Sequence, residues 1–511
     1  MKSEEFTKYQ ADNYSRIPVV RRMLADLETP LSVYSKLANQ PGTYLLESVE
    51  NVENWGRYSI IGLACEETIQ VYGRRIIRKR HNEIVEEIEQ AEPLEYIRQY
   101  MQSIKIPEIE SLPKYAGGVV GYFGYDTARY VEPRLMQSQP KDELGIPDIY
   151  LMRSEKLAIF DNFSGTIDLV VHADPESENA YEKAQQELID LESSLVAAEA
   201  SLKPLHMHSE TLDESVLNSG MGKEAYMSAV ERIREYVLDG DTMQVVLGHR
   251  MSMPYQADPL SLYRALRTVN PSPYMYFLDF GDFQVAGASP EILARLDKGT
   301  VTVRPIAGTR RRGKTPQEDM ALEQDMRDDP KEVAEHLMLI DLGRNDCGRV
   351  AQTGTVEVTE QMIVERFSHV MHMTSNVEGQ IKEGCDAIDV LSAIHPAGTL
   401  SGAPKIRAME IIDELEPTKR GLYGGAVGYI GWNGDMDTAI AIRTALVKNE
   451  QVFIQAGAGI VADSVPELEW KETMNKARAL LRAVSLVLGD SAKSEGQKAN
   501  SEGETVGGGQ S

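Results

Sequence analysis

YLLESV, residues 44–49, is one of several short runs between residues 40 and 175 in which apolar and polar side chains alternate. Arg57 to Leu63 and Leu157 to Phe160 are further runs of this kind, and Gly, Asn or Pro residues separate them. A strand that buries one face and exposes the other has this alternation. The N-terminal part of the chain is therefore predicted to form antiparallel strands.

Helical periodicity appears in two later segments. Glu176 to Ala200 is predicted to be a helix, and Tyr226 belongs to a second run whose apolar residues recur at helical spacing until Gly240. The run Met243 to Leu247 then has the composition of a strand. The chain is predicted to have an α+β fold in which the strands are mainly antiparallel.

Composition divides the chain into four parts. Residues 201–222 are polar and contain Pro204 and two glycines, so we expect a linker there between an N-terminal lobe at 1–200 and a second region at 223–488. Residues 489–511 consist mostly of Gly, Ser, Glu, Lys and Gln, and they are predicted to be a disordered tail.

Charge and cysteine content exclude several classes of protein. The 511 residues include 53 Lys and Arg against 79 Asp and Glu, a net charge of −26, which does not favour nucleic-acid binding. Three scattered cysteines do not form a disulfide framework or a thiolate metal site. The charged N-terminus is unlike a signal sequence, and no run approaches the roughly 18 apolar residues of a membrane span. We expect a soluble, cytoplasmic protein that uses local cations to hold any anionic substrate.

Two pairs of glutamates indicate a metal site. Glu332 with Glu335, and Glu469 with Glu472, are each spaced three apart in what we predict to be short helices, so each pair shares a helix face. The second helix follows a strand-like run that leads into a predicted glycine turn at 457–459. Four converging carboxylates need a cation or protons between them, and Mg²⁺ suits such oxygen ligands.

Structural roles explain each of these glutamates taken singly. Asp329 and Pro330 are suited to start a helix, with Glu332 as the acid of a capping box. Glu472 and Lys476 have the spacing of an exposed ion pair on a helix. The glycine pattern at 457–462 is a weak match to a dinucleotide fingerprint, because Pro466 places the next helix too late.

Other motifs favour ordinary structure over specialised chemistry. Residues 398–405 lack the glycine spacing of a phosphate loop, and Thr399 is expected in a turn before a helix. His369 and His372 form a metal pair only if their segment is helical, and its composition favours a strand. Helical Glu-x-x-His repeats of a di-metal oxidase are missing from the sequence.

A set of motifs in one order resembles the chorismate-utilising enzymes. They are Pro305 to Gly313 (PIAGTRRRG), Glu335-His336 with Asp341 to Asp346 (DLGRND), Pro396 to Lys405 (PAGTLSGAPK), Tyr423 to Gly428 (YGGAVG), Ile442-Arg443, and Gln455 to Gly459 (QAGAG). The resemblance covers residues 223 to 486 or so. It implies a two-lobed antiparallel β-sandwich flanked by helices, with chorismate bound through Mg²⁺.

Single positions distinguish reactions within this family. Isochorismate- and salicylate-forming members typically have a lysine where this chain has Gln244, so the resemblance implies ammonia rather than water as the nucleophile. Members that form aminodeoxychorismate commonly have a lysine where this chain has Ala307. The resemblance therefore implies amination of chorismate to anthranilate with loss of pyruvate, a step of tryptophan biosynthesis. An aminodeoxychorismate-forming enzyme and a non-catalytic tryptophan-binding regulator are the alternatives.

The resemblance also implies roles for individual residues. Glu291 matches the proton donor to the leaving hydroxyl, His372 the position linked to pyruvate elimination, and Glu335 and Glu472 the metal ligands. Glu332 and Glu469 match neighbours that act directly or through water. The positions that match chorismate contacts are Gly308, Thr309, Thr399, Tyr423, Arg443, Gly457, Ala458, Gly459 and Lys476.

Two further implications concern regulation and a partner. Residues 45–48 and 270–275 are similar to segments that bind inhibitory tryptophan, which makes candidate contacts of Ser48, Pro273, Tyr274 and Met275. The chain has no cysteine elbow of a glutaminase, so a glutamine amidotransferase subunit is expected to supply ammonia. The family usually has proline where this chain has Arg311.

Overall fold

The structure, a computed structural model, describes residues 3–48, 56–109, 112–113, 115–199, 202–206, 216–367 and 370–504, with side chains as far as residue 489. Within these residues the chain forms 12 helices and 24 strands. The helices are α1 (Ser3–Ala11), α2 (Pro30–Leu37), α3 (Pro93–Gln102), α4 (Ala128–Val131), α5 (Ala180–Ala197), α6 (Lys223–Leu238), α7 (Pro259–Val269), α8 (Pro316–Asp328), α9 (Pro330–Val350), α10 (Ala387–Ile394), α11 (Lys405–Leu415) and α12 (Pro466–Glu504). Half of them begin at a proline, whose missing N–H falls where an α-helix has no acceptor for it.

Most of the strands are short, and many of them are buried along most of their length. They are β1 (Ile17–Leu24), β2 (Thr43–Glu47), β3 (Tyr58–Gly62), β4 (Glu67–Tyr72), β5 (Arg75–Arg80), β6 (Glu83–Glu89), β7 (Gly118–Phe123), β8 (Ile149–Ser154), β9 (Lys156–Asp161), β10 (Thr166–Ala173), β11 (Asn218–Ser219), β12 (Gln244–Pro254), β13 (Tyr274–Asp279), β14 (Gln284–Ser289), β15 (Ile292–Asp297), β16 (Thr300–Val303), β17 (Ile306–Arg311), β18 (Glu357–Arg366), β19 (Val370–Gln380), β20 (Gly402–Ala403), β21 (Ala426–Gly431), β22 (Met436–Ile440), β23 (Thr444–Lys448) and β24 (Gln451–Ile460).

These strands form two antiparallel sheets of 12 strands each. The first has the order β1-β10-β9-β3-β2-β13-β14-β23-β24-β12-β11, with β20 paired to β12. The second has the order β17-β19-β16-β15-β22-β21-β7-β8-β4-β5-β6, with β18 paired to β19. Each sheet takes strands from both sides of residues 201–222, and β11 of the first sheet lies within that range.

Apolar layers hold the sheets and helices together. One cluster, which includes Tyr44, Tyr122 and Tyr276, joins strands of the first sheet to strands of the second. A second cluster packs α5, α7 and α12 on the first sheet, and a third packs α3, α9 and α10 on the second. The fold is therefore a β-sandwich flanked by helices, and the predicted α+β class is confirmed.

Most predicted elements are present at their predicted places. The helix predicted at 176–200 is α5, Tyr226 lies in α6, and the strand predicted at Met243 begins one residue later as β12. None of the helices in the described part of the chain is long and apolar enough to cross a membrane.

Two local predictions were wrong. The glutamate pairs lie in long helices, α9 and α12, not in short ones. Residues 457–459 form no turn, because β24 continues to Ile460 while pairing with β12. The backbone of α12 continues to Glu504, into the range where composition predicts a disordered tail. Residues 505–511 of that tail, 201 and 207–215 of the linker, and Val49 lie outside the described residues.

Candidate active site

Two neighbouring connections carry the chain from one sheet to the other. Glu291 lies between β14 of the first sheet and β15 of the second, and Arg443 lies between β22 of the second and β23 of the first. The Ile440 amide donates to the Glu291 carbonyl oxygen at 3.0 Å, and the Ala288 amide donates to the Arg443 carbonyl oxygen at 3.1 Å. These hydrogen bonds bring together two residues that the sequence predicted in one site.

The Glu291 carboxyl group is buried. Burial raises its pKa to about 8, despite a hydrogen bond from Thr399 and the nearby charges of Lys476 and Arg443, all of which lower it. The Thr399 hydroxyl donates to Oε1 of Glu291 at 3.0 Å from a short 3₁₀ turn before α11. Glu291 is therefore protonated at neutral pH and can donate a proton, as its proposed role requires.

Arg443 adopts a backbone conformation that few side chains favour. Its φ is 48°, in the left-handed region, where residues other than Gly, Asn and Asp are uncommon. Its Nη1 donates to Oδ1 of Asn270 at 3.5 Å. Its charge also lowers the pKa values of Glu291 and His372, which places it near both side chains. Its planar guanidinium is suited to bind a carboxylate.

His372 is a neutral imidazole at physiological pH. Burial is the main cause that lowers its pKa to about 4. Its Nδ1 lies 3.0 Å from the Thr309 hydroxyl and 3.2 Å from the Gly308 carbonyl oxygen. His372 lies in β19, which agrees with the predicted strand, whereas His369 lies outside the described residues.

The glycines at 457 and 459 leave room for two side chains. A Cβ on Gly457 would lie 3.0 Å from the Tyr423 hydroxyl oxygen, and one on Gly459 would lie 2.5 Å from Nε2 of Gln244. Ala458 belongs to the apolar cluster on the opposite face of the strand. The glycines are therefore needed because Tyr423 and Gln244 pack directly on the strand, not because the chain turns there.

Lys476 links α12 to the same strand. Its Nζ donates to the Gly457 carbonyl oxygen at 2.9 Å and lies 2.9 Å from Oε1 of Glu472 one turn earlier. The predicted ion pair is thus present. Lys476 adds a positive charge beside the strand on which the substrate is expected to lie.

Glu335 and Glu469, one from each pair of glutamates, have raised pKa values. Burial raises the pKa of Glu335, and the carboxylates of Glu332 and Glu472 raise it further. Nε2 of Gln244 lies 3.5 Å from Oε1 of Glu335. Burial also raises the pKa of Glu469, with a smaller contribution from Glu472. The two helices therefore bring carboxylates together from distant parts of the chain.

Glu332 does not close the predicted capping box. Asp329 caps α9 as predicted, because its side chain accepts from the amides of Lys331 and Glu332. The Glu332 carboxylate instead accepts from Nη1 of Arg310 at 2.8 Å. Arg310 also binds Asp325 and Asp329, so it holds the α8–α9 junction. Arg310, in the PIAGTRRRG segment, thus binds the Glu332 carboxylate in place of the helix N-terminus. Residue spacing within α9 cannot predict this contact, because Arg310 lies in another element.

The chemistry of these carboxylates fits Mg²⁺. After burial, the negative charges of Glu332 and Glu472 add to the raised pKa of Glu335, and a divalent cation with hard oxygen ligands relieves such repulsion. Glu335 and Glu472 are the residues that would hold it. Among the described residues no three acidic, His or Cys side chains already form a metal cage. A cation here would therefore need further ligands from water or substrate.

A buried ion pair beneath the site was not predicted. Nη2 of Arg420 donates to Oε1 of Glu416 at 2.5 Å and to the Val246 carbonyl oxygen at 2.7 Å. Nη1 of Arg420 donates to the Leu400 carbonyl oxygen, and Glu416 accepts from the Gly248 amide at 2.7 Å. The pair ties the loop that carries Thr399 to β12. The i, i+4 spacing of Glu416 and Arg420 could have predicted an ion pair, although this spacing usually indicates a pair exposed on a helix.

A separate cavity of about 380 Å³ lies between the sheets. Its lining includes the four predicted inhibitor contacts, Ser48, Pro273, Tyr274 and Met275. The Tyr274 hydroxyl donates to Oδ1 of Asp437 at 2.9 Å, and Nη2 of Arg295 lies 2.6 Å from Oδ2 of Asp437. Aromatic, cationic and anionic groups thus surround one cavity, as a zwitterionic aromatic ligand would require.

Arg311 lies at the edge of the site. Its side chain is 59% exposed, and its Nη2 is 2.5 Å from Oε1 of Glu318 at the start of α8. It is therefore held by α8 and directed toward solvent.

Comparisons with known proteins agree with this arrangement. Residues 43–482 match the family described as chorismate binding enzyme. Anthranilate synthase component 1 of Pseudomonas aeruginosa is 55% identical over 486 residues, which cover 95% of this chain and 99% of that protein. The protein of the same name from Neisseria meningitidis serogroup A is 53% identical over 490 residues, which cover 95% and 98%.

Solved structures show the same relationship. The crystal structure of anthranilate synthase component I from Streptococcus pneumoniae superimposes with a TM-score of 0.75 at 36% identity, over 90% of this chain and 99% of that one. The menaquinone-specific isochorismate synthase of Escherichia coli shares the fold, with a TM-score of 0.68 at 18% identity over 94% and 98% of the two chains. The chain therefore belongs to the chorismate binding enzyme family and, within it, to the anthranilate synthase component 1 proteins.

Proposed function

We propose that this chain converts chorismate and ammonia to anthranilate and pyruvate. The observation that carries the proposal is the Glu291 carboxyl group, which is buried, protonated at neutral pH and close to the cations of Arg443 and Lys476. An acid beside two cations suits an anionic substrate that must lose a hydroxyl group. High identity to relatives named for anthranilate synthesis supports the same conclusion.

Each residue has one task in the proposed reaction. Glu291 gives its proton to the C4 hydroxyl, which leaves as water while ammonia adds at C2. The neutral imidazole of His372 is suited to accept a proton in the later step that expels pyruvate and forms the aromatic ring. Arg443 and Lys476 hold substrate carboxylates, and Tyr423 and the amides of β24 orient them.

A cation would assist by polarising a substrate carboxylate. Mg²⁺ bound by Glu335 and Glu472 would neutralise their repulsion and draw negative charge toward itself. Glu332, which binds Arg310, and Glu469 are proposed to act through water.

A glutamine amidotransferase subunit is the proposed source of ammonia. Ammonia is a small fraction of total ammonium at neutral pH, so a dedicated supply raises its local concentration at the site. We place this complex in the cytoplasm, which the three free cysteines suit.

Tryptophan is the proposed inhibitor, bound in the cavity of about 380 Å³. Tyr274 of that cavity pairs with Ser289, and the Ser289 hydroxyl accepts a hydrogen bond from the Glu291 amide at 3.3 Å. A ligand that moves Tyr274 can therefore shift the proton donor.

Ser48→Phe is expected to abolish this inhibition, because the larger side chain fills part of the cavity. Ser48→Ala, which leaves the cavity open, is the matched control and should remain sensitive. The measurement is anthranilate formation against tryptophan concentration for the parent and both variants. Continued inhibition of the Phe variant at the parent's tryptophan concentration would place the inhibitor elsewhere.

The activity itself can be tested by mixing the purified chain with chorismate, Mg²⁺ and ammonium at mildly alkaline pH. Anthranilate fluorescence is the expected result. Accumulation of a non-aromatic amino product would instead indicate an aminodeoxychorismate-forming enzyme. Absence of any product from folded protein would contradict the proposed function.

A further inference from the structure

The loop at residues 395–404 brings Thr399 to the carboxyl group of Glu291. It joins the end of α10 to the start of α11, which begins at Lys405. The Thr399 hydroxyl donates to Oε1 of Glu291 at 3.0 Å from the 3₁₀ turn within this loop. The distance between the hydroxyl and the proposed proton donor therefore depends on the contacts that hold the loop.

The later part of this loop lies on the first sheet. Residues 402–403 form β20, which pairs with β12. Nη1 of Arg420 donates to the Leu400 carbonyl oxygen at 2.5 Å. These contacts follow Thr399 in the sequence, and they anchor the loop on one side of that residue.

Helix α9 contacts the loop region at two further places. Gly398, which precedes Thr399, packs against Leu342 of α9, since a Cβ on this glycine would lie 1.8 Å from Cδ2 of Leu342. One helical turn later, Oδ2 of Asp346 accepts from Nζ of Lys405 at 2.8 Å. Residues four apart share a helix face, so one face of α9 makes both contacts.

The ammonium group of Lys405 connects three helices. Its Nζ also donates to the Ile394 carbonyl oxygen at 2.8 Å. Ile394 is the last residue of α10, where carbonyl groups lack partners within the helix, and Lys405 is the first residue of α11. One ammonium group therefore joins the two ends of the loop to each other and, through Asp346, to α9.

The pair of Lys405 and Asp346 is nearly buried. The Lys405 side chain is 11% exposed and the Asp346 side chain is 8% exposed. Burial lowers the pKa of Lys405 and raises that of Asp346, and the charge of each residue opposes the effect on the other. Apolar side chains of similar size stabilise a fold as well as such a pair, so stability alone gives no reason for it.

We propose that Lys405 and Asp346 are positioning residues that seat the loop on α9 and thereby hold the Thr399 hydroxyl against the proton donor. The same helix carries Glu335 three turns earlier, about 16 Å away, so one element supports both the loop and that carboxylate. This role rests on the proposed function, because it concerns the acid of that reaction.

Lys405→Met and the double substitution of Lys405→Met with Asp346→Asn test the role. The single variant leaves Asp346 without its cation, whereas the double variant has no charge at either position and keeps the test valid if the single variant fails to fold. Lys382→Met is the matched control, because Nζ of Lys382 also donates to a carbonyl oxygen of α9, that of Arg349, at 2.7 Å but at the exposed surface. Thermal unfolding establishes that each variant is folded.

The measurement is kcat for anthranilate formation between about pH 6 and 10, with chorismate, Mg²⁺ and ammonia kept saturating. Both Lys405 variants should lose about tenfold in kcat at neutral pH. The pH at which activity falls should rise by about 0.5 to 1 pH unit, because the hydrogen bond from Thr399 lowers the pKa of Glu291. The other groups that lower this pKa remain in place: the Ile306 amide, Lys476 and Arg443. Lys382→Met should change neither quantity.

Thr399→Val removes the hydroxyl itself and completes a cycle with Lys405→Met. Alone, it should move the fall in activity by the same amount and in the same direction. Added to Lys405→Met, it should move it no further, because the hydrogen bond is already lost. A pair that only stabilised the fold would not give this result.

An unshifted pH profile in the folded Lys405 variants would overturn the positioning role, whatever their rates. Shifts that add in full when Thr399→Val is combined with Lys405→Met would overturn it as well. A parent that makes no anthranilate at any pH would instead contradict the proposed function, so the two failures are distinguishable.

Discussion

Glu291→Gln is expected to lower the rate of anthranilate formation by about a thousandfold or more. The amide has nearly the shape of the acid and can still accept from Thr399, but it cannot give a proton to the leaving hydroxyl. The parent rate should fall as pH rises through about 8, where Glu291 loses its proton. The measurement is kcat against pH for parent and variant. A variant that keeps most of its activity would exclude Glu291 as the donor.

The same substitution should stabilise the folded chain. Between pH 4.5 and about 8 the folded protein holds a proton on Glu291 that the unfolded chain has lost, so stability falls as pH rises through this window. At pH 7 this difference in the pKa of Glu291 lowers the free energy of unfolding by about 3 kcal/mol. A neutral glutamine at the same position avoids this loss. Thermal unfolding should therefore show a higher transition for the variant at pH 7.5 and a smaller gain at pH 5. Glu450→Gln, at an exposed carboxylate outside the site, is the control and should change neither activity nor the transition.

Glu472→Gln is expected to lower the rate of Mg²⁺-dependent turnover by about a hundredfold or more, without unfolding the chain. The amide has a similar size but lacks the negative charge that binds the cation and pairs with Lys476. Mg²⁺ binding in the presence of chorismate, followed by calorimetry, gives a readout that does not depend on turnover. Weaker Mg²⁺ binding with an unchanged unfolding temperature is the expected result.

Glu467→Gln is the matched control, because it lies on the same helix and pairs with Lys223 at the surface. It should bind Mg²⁺ as the parent does. If Glu472→Gln keeps full activity and affinity, Glu472 is not a metal ligand.

Local patterns predicted the elements of the fold better than their assembly. Alternation in residues 44–49 and 157–160 indicated strands, and β2 and β9 are at these places. Nothing local shows that strands from both sides of residues 201–222 share each sheet, because antiparallel pairing between distant segments depends on the packing of the whole core. The glycines at 457 and 459 were interpreted as a turn. The structure shows instead that glycine is needed there because Tyr423 and Gln244, which are distant in the sequence, contact the strand.

The site shows the same division between local and distant causes. Helical spacing selected the two pairs of glutamates, and the family resemblance selected Glu291, Arg443 and His372. The charge of Arg443 acts on both Glu291 and His372, and Glu332 and Glu472 act on Glu335. Sequence could not give the burial that raises the pKa of Glu291, because this residue lies on a connection between two sheets whose assembly local patterns do not show. It also could not show that Arg310 holds Glu332, since that contact joins two helices through a strand.

The most direct test follows two products in one reaction of the purified chain with chorismate, Mg²⁺ and ammonium, without glutamine or a second subunit. Anthranilate is measured by fluorescence, and pyruvate by reduction with lactate dehydrogenase. The proposed function predicts that both appear at equal rates and that both stop when Mg²⁺ is chelated. Chorismate consumption by folded protein without anthranilate, or no consumption at all, would contradict it.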